Sequence, residues 1–274
     1  MIIRKAFFEF EGKKIGGYFY VPGEGKYPLA IVVHGFGGGT FERGKSALCV
    51  DLARRGIASF FFDFYSHHYG LTEFSIEDMT VSFQVKVLAA VHDFVCSQEF
   101  VKTKKIAIVG HSLGGLTGYL YCASSDRIAA LCVLAAVSDL NWDLEHCFGP
   151  LDDWHVNGIK QFGDEWGGMS VKWDFVIDAR SHDVMSVLPT ITCPTCIVHG
   201  DADSVVPLEQ AKAQHAAIIG STLNVLRGVD NDFNGEGYNL MREVVCDFLC
   251  DVLILEKKVT ISKYADDEQS KEEE

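Results

Sequence analysis

Apolar and polar residues alternate over residues 2–10 and again over 15–21. A period of two is the signature of half-buried strands, so the chain is expected to open with a β-hairpin. Further on the pattern changes. Residues 29–33 (LAIVV), 58–62 (ASFFF), 106–109 (IAIV), 129–137 and 196–198 are continuous apolar runs, and 222–226 reads as one more strand. Helical periods separate them, at 45–55, 76–97, after Gly114, at 207–219 and at 236–256. Uniformly apolar strands alternating with helices predict a mainly parallel sheet of about eight strands, covered on both faces. Right-handed crossovers make this a doubly wound α/β fold. Sites in such sheets lie at the C-terminal ends of the strands, so the residues just after each apolar run are the candidates.

Residues 138–188 break the alternation. They hold all four tryptophans (Trp142, Trp154, Trp166, Trp173), several glycines and no clear strand. An insertion that caps the site is expected here, with its aromatic residues closing over an apolar ligand. The predicted organisation is one α/β domain over 1–256, the cap at 138–188, and an acidic, disordered tail over 257–274.

Three post-strand segments carry chemistry. After 106–109 comes Gly110-His111-Ser112-Leu113-Gly114-Gly115, a G-x-S-x-G run between a strand and a helix. A tight turn there lifts the Ser112 hydroxyl above the sheet and sets the Leu113 N–H beside it. The helix N-terminus favours a developing oxyanion. After 29–33 comes His34-Gly35-Phe36-Gly37-Gly38-Gly39, a glycine-rich loop in which the Phe36 N–H is the second oxyanion donor. After 196–198 comes His199-Gly200-Asp201-Ala202-Asp203, with Asp203 in the loop where a triad acid is expected and Asp201 holding that loop.

Composition excludes other classes. The chain has 274 residues, 48% of them hydrophobic, with a net charge of −14. Such a chain buries a sizeable core and is not disordered. Its acidity argues against a nucleic-acid partner. Its longest pure apolar stretch, 128–137, is far short of the ~20 residues of a spanning helix, so no membrane partner is expected. Nine cysteines and no leader-like segment point to free thiols in a reducing cytoplasm. Cys193 and Cys196 have CxxC spacing but read as a buried strand start, and no metal site is expected.

The HGFGG loop at 34–38, GHSLGG at 110–115 and HGDADSVVP at 199–207, with Glu77-Asp78-Met79-Thr80-Val81 entering a long helix, resemble the α/β-hydrolase superfamily. Within it the chain is similar to the bacterial cinnamoyl and feruloyl esterases over residues 2 to about 256. The resemblance implies a Ser/His/Asp carboxylesterase with no cofactor, acting on small-molecule esters such as those of hydroxycinnamic acids. It leads to a substrate pocket formed by His34, Tyr65, Tyr69, Trp142, Trp154 and Trp166. A second copy of the chain is the expected protein partner.

One position departs from the family. After the strand at 222–226 the esterases carry a histidine, roughly G-x-x-H-x-F; here the loop reads Gly228-Val229-Asp230-Asn231-Asp232-Phe233. Imidazole takes the serine proton and returns it to the leaving group. The amide of Asn231 is not basic and cannot carry that proton. His215, His111, His67, His68, Asp230 and Asp232 are weak substitutes by position, and the His111 side chain is expected to leave the turn away from Ser112. Three readings follow: an inactivated variant with a His→Asn change that traps substrate, a natural non-catalytic relative that binds a small ester or aromatic acid, or a hydrolase with a non-standard base.

Overall fold

In a computed structural model, which describes residues 1–66, 70–163 and 168–257, eight strands form one sheet. β1 (Ile2–Phe10) and β2 (Lys13–Val21) make the expected hairpin, paired antiparallel from Ile2–Val21 to Phe10–Lys13. β3 (Tyr27–Val33) is central and wholly apolar beyond its first residues. Helix α1 (Arg43–Arg54) crosses to β4 (Ala58–Phe62), and α2 (Val81–Cys96) crosses to β5 (Val101–His111). Helix α3 (Leu113–Ala123) follows at once and leads to β6 (Ala130–Leu134).

The insertion comes next. It contains α4 (Leu140–Phe148), α5 (Asp152–Asn157), β7 (Ile159–Gln161), β8 (Ser170–Lys172), α6 (Asp174–Arg180) and α7 (Val184–Val187). The chain returns to the sheet with β9 (Thr195–Gly200), α8 (Leu208–Ala217), β10 (Thr222–Leu226) and α9 (Gly237–Leu253).

The sheet order is β1-β2-β4-β3-β5-β6-β9-β10. Its first two pairings are antiparallel and the rest parallel. Both faces are covered. Ile31, Ile108, Leu131 and Ile197 belong to one core, with α2 and α3, whereas Val32, Val109, Cys132 and Val198 belong to the other, with α1 and α9. Alternate residues of each strand enter opposite cores, which is why these strands are continuous apolar runs.

Two local expectations are corrected. The single helix expected over 76–97 is split: a 3₁₀ turn spans Ile76–Asp78, Met79 is extended, and α2 starts only at Val81. Thr80 is the cause, because its extended backbone (φ −142°, ψ 156°) lets its hydroxyl accept from the Phe83 N–H as an N-cap. The insertion, read as free of strands, contains the antiparallel ribbon β7–β8. Three-residue strands carry too short a pattern to show a period. All nine cysteines are free thiols. Among the described residues, no helix is long and apolar enough to cross a membrane. The tail beyond residue 257 lies outside the described residues, as do His67, His68, Tyr69 and Trp166.

Candidate active site

Ser112 occupies the bend between β5 and α3 with φ 51° and ψ −118°. A non-glycine residue held there stores about 1–3 kcal/mol of backbone strain, which the surrounding packing must impose. That packing is built from small residues. A Cβ on Gly114 would lie 2.4 Å from the His34 carbonyl oxygen and 2.7 Å from that of Val33. A Cβ on Gly110 would meet the Gly114 oxygen at 2.4 Å. The first turn of α3 is thus seated directly on the end of β3, and the loop after β3 passes Ser112. A Cβ on Gly35 would be 3.2 Å from the Ser112 Cβ. Phe36 and Leu113, the two expected oxyanion donors, both border the same cavity as Ser112.

Gly114→Ala is expected to cost about 2–3 kcal/mol, because the added methyl meets backbone on both sides rather than a movable side chain. A denaturant midpoint within error of the parent would contradict this close approach.

Asp203 is fixed from four directions. Its Oδ1 accepts the Val205 and Val206 N–H groups at 2.8 Å each. Its Oδ2 accepts the Asn231 Nδ2–H at 2.9 Å and lies 3.3 Å from His199 Nε2. Burial alone pushes its carboxyl up, but the hydrogen bonds from His199, Val206, Asn231 and Val205 outweigh it and hold the group below the ordinary carboxylate range. Asp203 is therefore an anion at neutral pH. His199 Nε2 also faces the Val206 carbonyl at 2.9 Å, so two acceptors place the ring proton on that nitrogen. Its Nδ1 has no hydrogen-bond partner among the described residues.

Asn231 stands between Asp203 and the cavity. Its backbone oxygen lies 3.0 Å from His111 Nε2, which donates to it. The His111 ring runs to the Asn231 loop, and the residue borders the cavity. Burial, and after it the Lys45 charge, lower the His111 pKa to about 4, so the ring is neutral and is a weak base. Asp201 holds the loop through the Gly228 N–H. Asp230 turns to Asn234, and His215 pairs with Ser221 on the exposed side of α8.

The cavity measures about 560 Å³, within the usual range for small-molecule sites. Its aromatic wall is Phe36, Phe41, Phe148 and Phe175. The tryptophan expectation is corrected here. Trp154 is buried inside the insertion, donating Nε1–H to the Val171 carbonyl at 2.9 Å, and Trp142 lies on the surface against His146. Neither these two nor Trp173 borders the cavity. Tyr65 is buried beside the Thr80 backbone, away from the cavity. His34 lies behind the loop it precedes: its Nδ1–H donates to the Gly35 carbonyl at 2.8 Å, and its Nε2 accepts the Phe64 N–H at 3.1 Å. Trp154 packs instead against Phe148, Phe162, Trp173 and Phe175, within the apolar cluster that covers one face of the sheet.

The matching region confirms the family. A family model described as "Alpha/beta hydrolase family" matches residues 30–228.

This chain belongs to the alpha/beta hydrolase family.

Est1E from Butyrivibrio proteoclasticus is 27% identical with a TM-score of 0.77, covering 90% of this hydrolase-family chain and 98% of Est1E. The structure of Est1E with ferulic acid bound superposes with a TM-score of 0.75 at the same identity and coverage. The 2,6-dihydropseudooxynicotine hydrolase of Paenarthrobacter nicotinovorans is 32% identical over 181 residues, which is 64% of this chain. The match spans 45% of that curated relative's length.

Position alone did not reveal Asp143, which borders this hydrolase-family cavity, or Gln210, which bonds to it from α8. Asp143 is on α4, in the stripe Leu140, Asp143, Leu144, Cys147, Phe148, whose i, i+3, i+4 spacing faces the cavity. An acid within an otherwise apolar stripe was the signal available in the sequence. Gln210, on α8, uses its Oε1 to accept the Ser138 and Asp139 N–H groups at 2.7 and 3.1 Å. Its Nε2 is then turned to Asp143 Oδ1, at 2.6 Å. Asp143 Oδ2 is buried with no hydrogen-bond partner among the described residues. Burial is the main cause that raises the Asp143 pKa to about 7.

Proposed function

We propose that this chain carries a carboxylic-ester site in which Ser112 is the nucleophile, Asp203 the orienting acid, and Asn231 stands in the place of the proton-shuttling histidine. The observation that carries this reading is the 2.9 Å hydrogen bond from Asn231 Nδ2 to Asp203 Oδ2 at the edge of the Ser112 cavity. It is the bond an imidazole N–H would make to the same carboxylate.

The chemistry then follows. An ester carbonyl seated between the Leu113 and Phe36 N–H groups has its oxygen polarised, and Ser112 Oγ attacks the carbon. The Ser112 proton needs an acceptor, and the Asn231 amide offers none. The chain in this form binds ester far better than it turns it over. The phenylalanine wall suits an aromatic acid ester, in keeping with ferulic acid in the Est1E structure.

The test compares hydrolysis of a short p-nitrophenyl ester and of methyl ferulate by this chain, by Asn231→His and by Ser112→Ala, with fluorophosphonate labelling of the serine. The Asn231→His form should turn over both esters and be labelled at Ser112. If that form neither turns over nor is labelled, the ester-hydrolase reading fails. The same Asn231 then favours the second reading, a non-catalytic relative that binds a small ester or aromatic acid.

A further inference from the structure

β1 ends the sheet, and among the described residues no strand pairs with its outer side. The ladder with β2 fixes which of its backbone groups face outward. On β2 the Lys14 and Gly16 N–H groups turn away from β1, to Glu73 Oε2 at 2.8 Å and Thr72 Oγ1 at 3.1 Å. Their carbonyls turn the same way and accept the Glu73 and Asp63 N–H groups at 2.9 and 3.0 Å. In an antiparallel ladder both groups of a residue point to one side, and that side alternates along the strand. Lys13, Ile15, Gly17 and Phe19 therefore bond to β1, through Phe10, Phe8, Ala6 and Arg4. The N–H and C=O groups of Ile3, Lys5, Phe7 and Glu9 are left facing outward from the edge.

The side chains divide in the same way. Arg4 lies over the Phe100 ring at 4.5 Å, Phe8 stacks on Phe94 at 4.7 Å, and Phe10 packs on Phe74 and Phe83. The other face of β1 is open: Ile3 is 52% and Phe7 46% exposed, and Lys5 and Glu9 are exposed beside them. Lys5 Nζ lies 5.7 Å from the Tyr18 ring centre. Lys14 stands opposite Glu9 on β2, yet among the described residues neither Glu9 nor Lys5 closes an ion pair.

A long edge strand with exposed apolar side chains is a template for another strand, and charges on it normally block such pairing. Here the charges are spaced to match. If β1 pairs antiparallel with β1 of a second copy, outward-facing residues must stand opposite outward-facing residues, so the register changes in steps of two. With the two-fold axis at Phe7, Phe7 faces its own copy and Lys5 faces Glu9, on both sides of the axis. Moving the partner by two residues sets Lys5 against Phe7, or Phe7 against Glu9. Moving it by four sets Lys5 against Lys5, or Glu9 against Glu9. Within β1 only the register centred on Phe7 places opposite charges opposite each other.

We propose that two copies of this chain pair antiparallel along β1 about a two-fold axis at Phe7, joining their sheets into one. Each facing pair of outward residues exchanges two N–H···O=C bonds. The Phe7 rings cover each other, and the Lys5–Glu9 pairs fix the register. The interface uses no residue of the Ser112 cavity.

The experiment is sedimentation velocity of the full chain. Between about 1 and 100 µM it should show a concentration-dependent dimer, with a dissociation constant on the order of 10 µM. Lys5→Glu and Glu9→Lys each set like charges opposite one another at both symmetry-related pairs, and each should weaken the dimer at least about tenfold. The double exchange, Lys5→Glu with Glu9→Lys, re-forms both pairs with their signs reversed and should restore the affinity to within about twofold of the parent. Phe7→Pro removes an outward N–H and no bond to β2, so the fold should stay while the dimer is lost.

A chain that is monomeric throughout this range overturns the inference. So does a dimer that the single charge changes leave intact, one that the double exchange fails to restore, or one that persists in a folded Phe7→Pro. The charge exchange decides alone should Phe7→Pro fail to fold.

Discussion

Asn231→His should raise the turnover of a p-nitrophenyl ester by a factor on the order of 10³ to 10⁶. The gain is large because one step is missing. Asp203 is already anionic and aligned by the Val205 and Val206 N–H groups, Ser112 is already in its strained bend, and the loops bearing Phe36 and Leu113 already border the cavity. An imidazole at 231 would take over the Asp203 Oδ2 bond that the amide makes now. Turnover by the variant should rise with pH as that imidazole loses its proton, near its ordinary pKa of about 6.5 and higher if Asp203 stabilises the charged ring. His111, with a pKa of about 4, would already be deprotonated above that pH and leaves a profile flat across the neutral range. A folded, labelled Asn231→His protein within tenfold of the parent would show that the histidine position is not the lesion.

Asp143→Asn should stabilise the fold by a margin that widens with pH. Mainly through burial, the Asp143 pKa in the folded chain is about 7 against an ordinary value of 3.8. The folded state thus holds a proton that the unfolded chain releases. The stabilisation this gives is fully present below the ordinary value and is lost as pH rises through about 7. At 1.36 kcal/mol for each pH unit, a shift of about three units sets a ceiling of roughly 4 kcal/mol. Asparagine does not titrate and still accepts from Gln210. Denaturant unfolding of both proteins at pH 4.5, 6 and 8 measures the margin. A constant margin across that range would mean that Asp143 titrates normally and is not sealed against the cavity wall.

Local pattern was enough for the architecture and for bringing Ser112, Asp203 and Asn231 to one end of the sheet. The apolar runs at 29–33, 106–109 and 196–198 became β3, β5 and β9, since a strand buried on both faces has to be apolar throughout. Ser112 and Asp203 follow strands of such a sheet, and chain connectivity alone places both at one edge. Asn231 was legible for the same reason, as the residue in a defined loop after the last strand. Those readings depend on neighbours in sequence.

The specificity of the cavity depends on neighbours in space. Tryptophans of the insertion looked like the ligand surface, yet Trp154 is buried in the cluster under one face of the sheet, and Phe36, Phe41, Phe148 and Phe175 wall the cavity. Hydrophobicity drives all of these rings inward equally and carries no address. The Asp143 charge state likewise needs Gln210 from 67 positions away and the burial that α4 acquires on folding. His111 reaches the Asn231 carbonyl across 120 positions, a contact that no local pattern encodes. Periodicity reports which face of an element is buried. Which side chains meet there, and what their meeting does to a proton, is decided only when the elements pack.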